Sequence, residues 1–227
     1  MEDKSIWYLE NIDVSTIFCP NKVNGLGDNH EKRVDKNDYV YLPEQDSDTI
    51  YFISEGRVKI GSYSDDGKEI TKTILSKGEV FGELSLVGQN KRQDFAMAIE
   101  NVILCCVPSS TLKNLIKDHS SLSLFFMKLM GSKVIEMENR LESLVFKDSR
   151  SRIVEYLVET VDKRGERVGY EWVVRNFLTH QEIANLTATS RQTVTTVLNE
   201  LRSADIITFN RKRLLVRDLD NLKAEIK

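Results

Sequence analysis

Cysteine is scarce in this chain of 227 residues: there are three, Cys19, Cys105 and Cys106. Three thiols cannot build a disulfide framework. The neighbours Cys105 and Cys106 sit in an apolar run, VILCCV, and read as buried thiols of a strand. A reducing compartment is the simple expectation. Long apolar runs are missing as well. None approaches the roughly 20 residues of a membrane span, so no membrane partner is expected. The opening residues, MEDKSIWYLENIDV, are acidic and lack the apolar centre of a signal peptide, so a cytoplasmic location is expected. The spacings of catalysis are absent too: no metal-ligand pattern, no nucleophile elbow and no Walker-type phosphate loop. The chain is therefore not read as an enzyme, and no metal or other cofactor is expected.

What is present suits a globular protein, with 41% hydrophobic and 30% charged residues and length enough for two modest domains. The net charge of −3 is unevenly spread. Residues 148–227 hold 14 Lys/Arg and 12 Asp/Glu, a net of +2, whereas residues 1–147 hold 18 and 23, a net of −5. The positive charge is also focused. The stretch 206–217, IITFNRKRLLVR, contains Arg211, Lys212, Arg213 and Arg217 and no acid. Such focusing lets a mildly basic domain grip phosphates.

Residues 178–201, LTHQEIANLTATSRQTVTTVLNEL, read as two short helices joined by a turn at 187–189. Thr179 has Glu182 three positions on, which is capping-box spacing. Ile183 and Leu186 would point inward. Ser190 caps a second helix with Val194, Val197, Leu198 and Leu201 on one face. The other face carries Arg191, Gln192, Thr195, Thr196 and Asn199, with no acid between Glu182 and Glu200. An apolar back and an Arg/Gln/Thr/Asn front fit the major groove, where such side chains meet base edges. The other reading of these residues is an ordinary helical hairpin with a polar outer face.

The remainder is ordered around this unit. Residues 1–20 read as partly helical around residues 6–9, and 21–38 as loop and turn. From 39 to 108 short runs follow one another at 39–42, 50–53, 57–63, 69–75, 80–81, 95–99 and 102–107, separated by turns such as Asp65-Asp66-Gly67. This pattern indicates an antiparallel sandwich or roll. A helix at 111–117 and a long helix at 120–146 come next. On the long helix Met127, Met130, Val134, Met137, Leu141 and Leu144 are spaced 3, 4, 3, 4, 3, a heptad seam that suits either a dimer or a core. Leu122, Phe126 and Leu129 form a second stripe that can pack on the roll. Residues 147–149 read as a hinge, and another helix starts at 149 with Ile153, Leu157 and Val161 on one face. Residues 163–169 read as a charged connection and 172–174 as a strand. Residues 206–209 and 214–216 form a β-hairpin with a basic tip at 210–213, so the unit is a winged helix. The expected class is α+β: a roll at 1–118, a dimerisation helix and hinge at 119–147, and a winged helix-turn-helix at 148–227.

Three stretches together resemble the Crp/Fnr family of bacterial transcription regulators. They are GEVFGEL at 78–84, LVFKDSRSRI at 144–153, and the two-helix unit with its QEIA at 181–184 and SRQTV at 190–194. Their order and spacing match from about residue 35 onward. The resemblance implies a homodimer, a sensor roll of the cyclic-nucleotide-binding type, promoter DNA as partner and RNA polymerase as a further one. It makes Arg191 a base reader, while Gln192 stands where the family has Glu and Thr196 where it has a second Arg. The half-site is therefore expected to differ from the best-known ones. Phosphate contacts fall on Thr179, His180, Gln181 and the wing residues Lys212 and Arg213.

For the effector pocket, Gly82, Glu83 and Leu84 match the family's nucleotide-binding members, and alignment places Arg92 at the phosphate-binding Arg. The next two residues are Gln93 and Asp94 instead of Ser and Ala. The pair that touches the base falls on Met137 and Glu138. With two of three contact groups altered, cyclic AMP is not the favoured effector. Glu83 also fits a plain structural turn, and Lys91 and Arg92 a solvated loop. An iron–sulfur cluster of the family's type needs four cysteines, most near the N-terminus, where this chain has Cys19 alone. Two other functions stay open. One is an effector-independent regulator of the same fold. The other is a nucleotide-binding module with a protein-binding helical tail, against which the basic wing and acid-free face argue.

Overall fold

The structure is a computed structural model that describes residues 30–227 except 68, 119, 211 and 227, together with two short strands near the N-terminus. Those strands, β1 (Tyr8–Leu9) and β2 (Ile12–Asp13), pair antiparallel, so the helix expected around residues 6–9 is not formed at Tyr8 and Leu9. The rest of that expected helix, and Cys19, lie outside the described residues. Contacts divide the chain into two compact units, Met1–Gly131 and Ser132–Lys227.

In the first unit, β3 (His30–Val34), β4 (Tyr39–Tyr41), β5 (Thr49–Glu55), β6 (Arg57–Tyr63), β7 (Glu69–Ser76), β8 (Val80–Phe81), β9 (Phe95–Ala98) and β10 (Val102–Pro108) form two antiparallel four-stranded sheets. Their orders are β3-β10-β5-β8 and β4-β9-β6-β7. This is the β-roll that the short alternating runs require. The strand β3 corrects the expected loop at 30–34, while residues 21–29 of that loop lie outside the described residues. Among the described strands it is an edge strand bonded to β10 alone, so its Glu31, Lys32 and Arg33 face solvent and leave no apolar alternation to read. Gly56 joins β5 to β6 at φ 85°, where a Cβ would lie 2.4 Å from the Asn101 carbonyl oxygen.

Two apolar clusters fill this unit. Val40, Tyr41, Ile53, Val58, Phe81 and Leu104 belong to one. The other joins Ile50, Phe52, Val80, Cys105 and Val107 of the roll to Leu112 of α1 (Ser109–Asp118) and to Leu122, Phe125, Phe126 and Leu129 of α2 (Ser120–Phe146). The stripe of Leu122, Phe126 and Leu129 thus packs on the roll as its spacing demands. Cys105 is buried, while Cys106 is half-buried and its thiol is pushed up to about 11 by burial.

In the second unit, α3 (Ser149–Arg164) is capped by Asp148, whose carboxylate accepts from the Ser151 N–H at 2.7 Å. Its Ile153, Val154, Leu157 and Val161 are buried. The strands β11 (Glu166–Val168) and β12 (Glu171–Arg175) then form a hairpin where sequence suggested a connection into one strand. The helices α4 (His180–Thr187) and α5 (Arg191–Ser203) follow. The hairpin β13 (Ile207–Phe209) and β14 (Arg213–Val216) completes a sheet of order β11-β12-β14-β13. A last helix, α6 (Leu219–Ala224), was not expected. It buries Leu222, and six residues carry too short a pattern to read. The architecture is α+β throughout: a roll, a long helix and a winged helix-turn-helix.

Candidate nucleic-acid interface

Local chemistry sets the two helices of the interface. The Thr179 hydroxyl accepts from the Glu182 N–H at 3.3 Å, and the Glu182 carboxylate accepts from the Thr179 N–H at 2.7 Å. This reciprocal box satisfies two N–H groups that the start of α4 would leave unbonded. The Ser190 hydroxyl accepts from the Thr193 N–H at 3.0 Å and opens α5. Thr187 ends α4 inside the helix, so the turn is one residue shorter than expected. Ala188 makes it at φ 50°, ψ 48°, a left-handed conformation that costs a non-glycine residue about 1–2 kcal/mol. Two arginines hold that turn. Arg140 of α2 donates to the Leu186 carbonyl at 2.9 Å. Arg152 of α3 donates to those of Thr187 at 2.9 Å and Ala188 at 3.2 Å.

Val194, Val197, Leu198 and Leu201 are buried and fix α5 against α3 and α4. Arg191, Gln192 and Thr196 are exposed as a row on the opposite side, with Asn199 half-buried. Thr195 turns elsewhere. Its hydroxyl donates to the Arg191 carbonyl at 2.9 Å and lies 2.8 Å from His180 Nδ1. The His180 ring meets Phe209 edge-on, with centroids 5.7 Å apart, so α4, α5 and β13 join at one imidazole. Burial, and then the nearby Arg191 charge, hold His180 below its usual pKa. Gln181 is exposed and donates to the Asn185 side-chain oxygen at 2.9 Å. In the wing, the Asn210 side chain accepts from the Lys212 and Arg213 N–H groups at 2.8 and 3.0 Å, which leaves both basic side chains exposed. Arg202 stacks on Phe209, 5.2 Å from its centroid.

The expected effector residues lie mostly in the first unit. Gly82 takes φ 79°, where a Cβ would come within 2.8 Å of Arg92 Nη1 and 2.9 Å of the Thr49 carbonyl oxygen. Glu83 and Arg92 are both buried, so Arg92 is no solvated loop residue. Its guanidinium donates to the Gly82 carbonyl at 3.3 Å and the Thr49 carbonyl at 2.5 Å. It lies 4.4 Å from the centroid of Tyr41 and 5.7 Å from that of Tyr51. Burial, then the Asp94 charge, push the Tyr41 phenol well above its usual range; its hydroxyl donates to Asp94 at 3.3 Å. Leu84 is exposed. Tyr41, Thr49 and Tyr51 were missed by sequence because they come from β4 and β5, strands of two different sheets that meet at Arg92 only in the folded roll. Met137 belongs to the second unit, where it is 72% exposed.

The seam residues Met127, Val134, Met137, Leu141 and Leu144 are all exposed, and Met130 is half-buried. Within one chain these side chains are not core. No described helix is long and apolar enough to cross a membrane. Among the described residues no group of three or more His, Cys, Asp or Glu is placed to hold a metal ion.

The chain is similar to known proteins in both units. Residues 31–119 match the family model of the cyclic nucleotide-binding domain, and residues 151–225 that of the Crp-like helix-turn-helix domain. A global nitrogen regulator of Synechocystis is 30% identical over 186 residues, covering 81% of this chain and 83% of that protein. The CRP-like cAMP-activated global transcriptional regulator of Mycobacterium tuberculosis is 29% identical over 183 residues, covering 81% and 82%. Among solved structures, a CooA mutant from Carboxydothermus hydrogenoformans superposes with a TM-score of 0.79 at 25% identity, covering 97% of this chain and 99% of that one.

Proposed function

Since the chain belongs to the Crp/Fnr family of transcription regulators, we propose that it binds promoter DNA as a cytoplasmic homodimer under the control of a small molecule other than cyclic AMP. The observation that carries the DNA reading is the row Arg191, Gln192 and Thr196, exposed and acid-free on a helix whose start is capped by Ser190. Arg191 reads guanine O6/N7 and Gln192 reads adenine N6/N7. Thr179, His180, Gln181, Ser190, Lys212 and Arg213 take phosphates on either side. The exposed heptad seam supports the homodimer, which sets two recognition helices about one helical turn apart on a two-fold site. RNA polymerase is the further partner, and the protein catalyses no reaction.

Asp94 argues against a cyclic phosphate. It stands two residues past Arg92, hydrogen-bonded to Tyr41 and paired with Lys72 at 3.3 Å, and adds negative charge where the ligand would bring its own. Selection from random duplex DNA tests the DNA reading: it should return a two-fold site unlike TGTGA, and recovery of TGTGA would overturn the assignment of Gln192 and Thr196. Calorimetric titration with cyclic AMP should give no heat at millimolar ligand.

A second reading, regulation without any effector, draws on Arg92 itself. Two backbone carbonyls and the Tyr41 face already engage its charge. Full DNA affinity in purified protein with no added ligand would favour that reading.

A further inference from the structure

We infer that His180 grips a DNA phosphate as its imidazolium, so that the protein takes up protons as it binds DNA. The inference rests on the DNA-binding reading and adds a chemical state to one of its contacts.

Hydrogen bonding favours one starting state. A threonine hydroxyl has one proton. Thr195 donates its proton to the Arg191 carbonyl at 2.9 Å, so toward His180 its oxygen can only accept. We assign the proton of the neutral ring to Nδ1 on that ground, and Nε2 then carries a lone pair. Among the described residues nothing hydrogen-bonds to Nε2. In this state the nitrogen presents an acceptor to a phosphate oxygen, which is also an acceptor. A proton on Nε2 reverses that. It creates a charged donor and leaves the Nδ1 bond to Thr195 as it was. The Phe209 edge holds the ring in the same place. Protonation thus changes the chemistry of the contact without dismantling the junction.

The surroundings explain why the proton waits for DNA. From α5 the charge facing the ring is Arg191, and beyond Phe209 lies Arg202. On its own helix the nearest carboxylate, Glu182, is spent on the Thr179 N–H and hydroxyl at 2.7 and 2.8 Å. Partial burial, and then the Arg191 charge, favour the neutral ring in the free protein. With α5 in the major groove, the helix before it crosses the DNA backbone, and His180 is its first residue. A phosphate there supplies the missing anion. Affinity then rises as pH falls, by up to about one decade per pH unit for each His180 engaged.

The test uses the full chain and two duplexes of about 30 base pairs, one recovered by the protein from a random pool and one of unrelated sequence at low salt. Affinity is measured from pH 6 to 8 at fixed ionic strength. Binding heats are measured at pH 6.5 in phosphate and in imidazole buffer, whose ionisation enthalpies differ. Wild type should tighten about tenfold or more from pH 8 to pH 6 on both duplexes, with heats that depend on the buffer. H180N can still donate to Thr195 but takes no proton, and its affinity should be flat across the range. The same pH slope in H180N, or buffer-independent heats in wild type, would overturn the inference. The heats need no variant, so a misfolded H180N does not spare it. Wild type that binds neither duplex at any pH would instead bring down the DNA-binding reading, and this inference with it.

Discussion

Arg140 on the long helix reaches the main chain of Leu186, donating to its carbonyl oxygen at 2.9 Å just before the turn between the two DNA-facing helices. With Arg152 on the next two carbonyls, it over-determines a turn that alanine makes against its own preference. Glycine adopts this conformation freely, although its unfolded chain is looser. A188G should therefore stabilise the protein by about 0.5–1 kcal/mol. R140A strands a carbonyl and should cost about 1–3 kcal/mol. Urea unfolding of both variants measures the two effects. Equal stability of R140A and wild type would mean the contact braces nothing.

Base readers and phosphate anchors should separate by salt. R191A should lose about 1–3 kcal/mol of discrimination between the selected site and a mismatched one. K212A and R213A should weaken both duplexes alike and lower the salt slope by about one each. Fluorescence anisotropy at several salt concentrations distinguishes these outcomes. A uniform loss in R191A would make it a phosphate contact.

The exposed seam makes a prediction about assembly. Placing a carboxylate there, as in V134D or L141D, sets like charges against each other across a two-fold interface. Sedimentation at micromolar concentration should show wild type as a dimer and both variants as monomers. Monomeric wild type would refute the dimer proposal.

Gly82 is fixed by its surroundings more than by its turn. In G82A the new Cβ meets both Arg92 and the Thr49 carbonyl while the backbone stays at φ 79°. The roll should lose more than about 1 kcal/mol, read as a lower urea midpoint. An unchanged midpoint would show that Arg92 can move aside.

His180 also links pH to the stability of the free protein, with a sign opposite to that for DNA affinity. Its folded pKa lies below the usual 6.5, so the unfolded chain binds more protons in that window. Stability should fall as pH drops through 6.5 and level off above about 7.5. Melting temperatures across pH 5.5–8 should show a shallower slope in H180N. An identical slope would mean that other groups carry the dependence.

How much of this was legible in the sequence follows from which interactions are local. Capping is local, so Thr179, Glu182 and Ser190 marked both helix starts. Alternation of polar and apolar residues marked β6 and β7, although β6 buries Val58 to Gly61 without a break. The edge strand β3 carries no such pattern, and α6 is too brief to have one. The cradle of Arg92 depends on strands of two different sheets meeting at one guanidinium, and no spacing in the chain predicts that Tyr41 lies under it. The junction at His180 was half visible. Its place at the start of a helix could be read, but its bonds to Thr195 and Phe209 arise only when three elements fold together.

Residues 147–149, which look like a free joint, are held on every side. Arg152 donates to the Lys147 carbonyl at 2.8 Å, Glu155 takes both Ser143 and Lys147, and Asp148 caps α3. Anyone grafting this DNA-reading module onto another sensor should therefore cut near residue 132 and not at 148. A transplant that begins at 148 leaves Arg140 and Ser143 behind, and arrives with one of the two arginines that hold its turn removed.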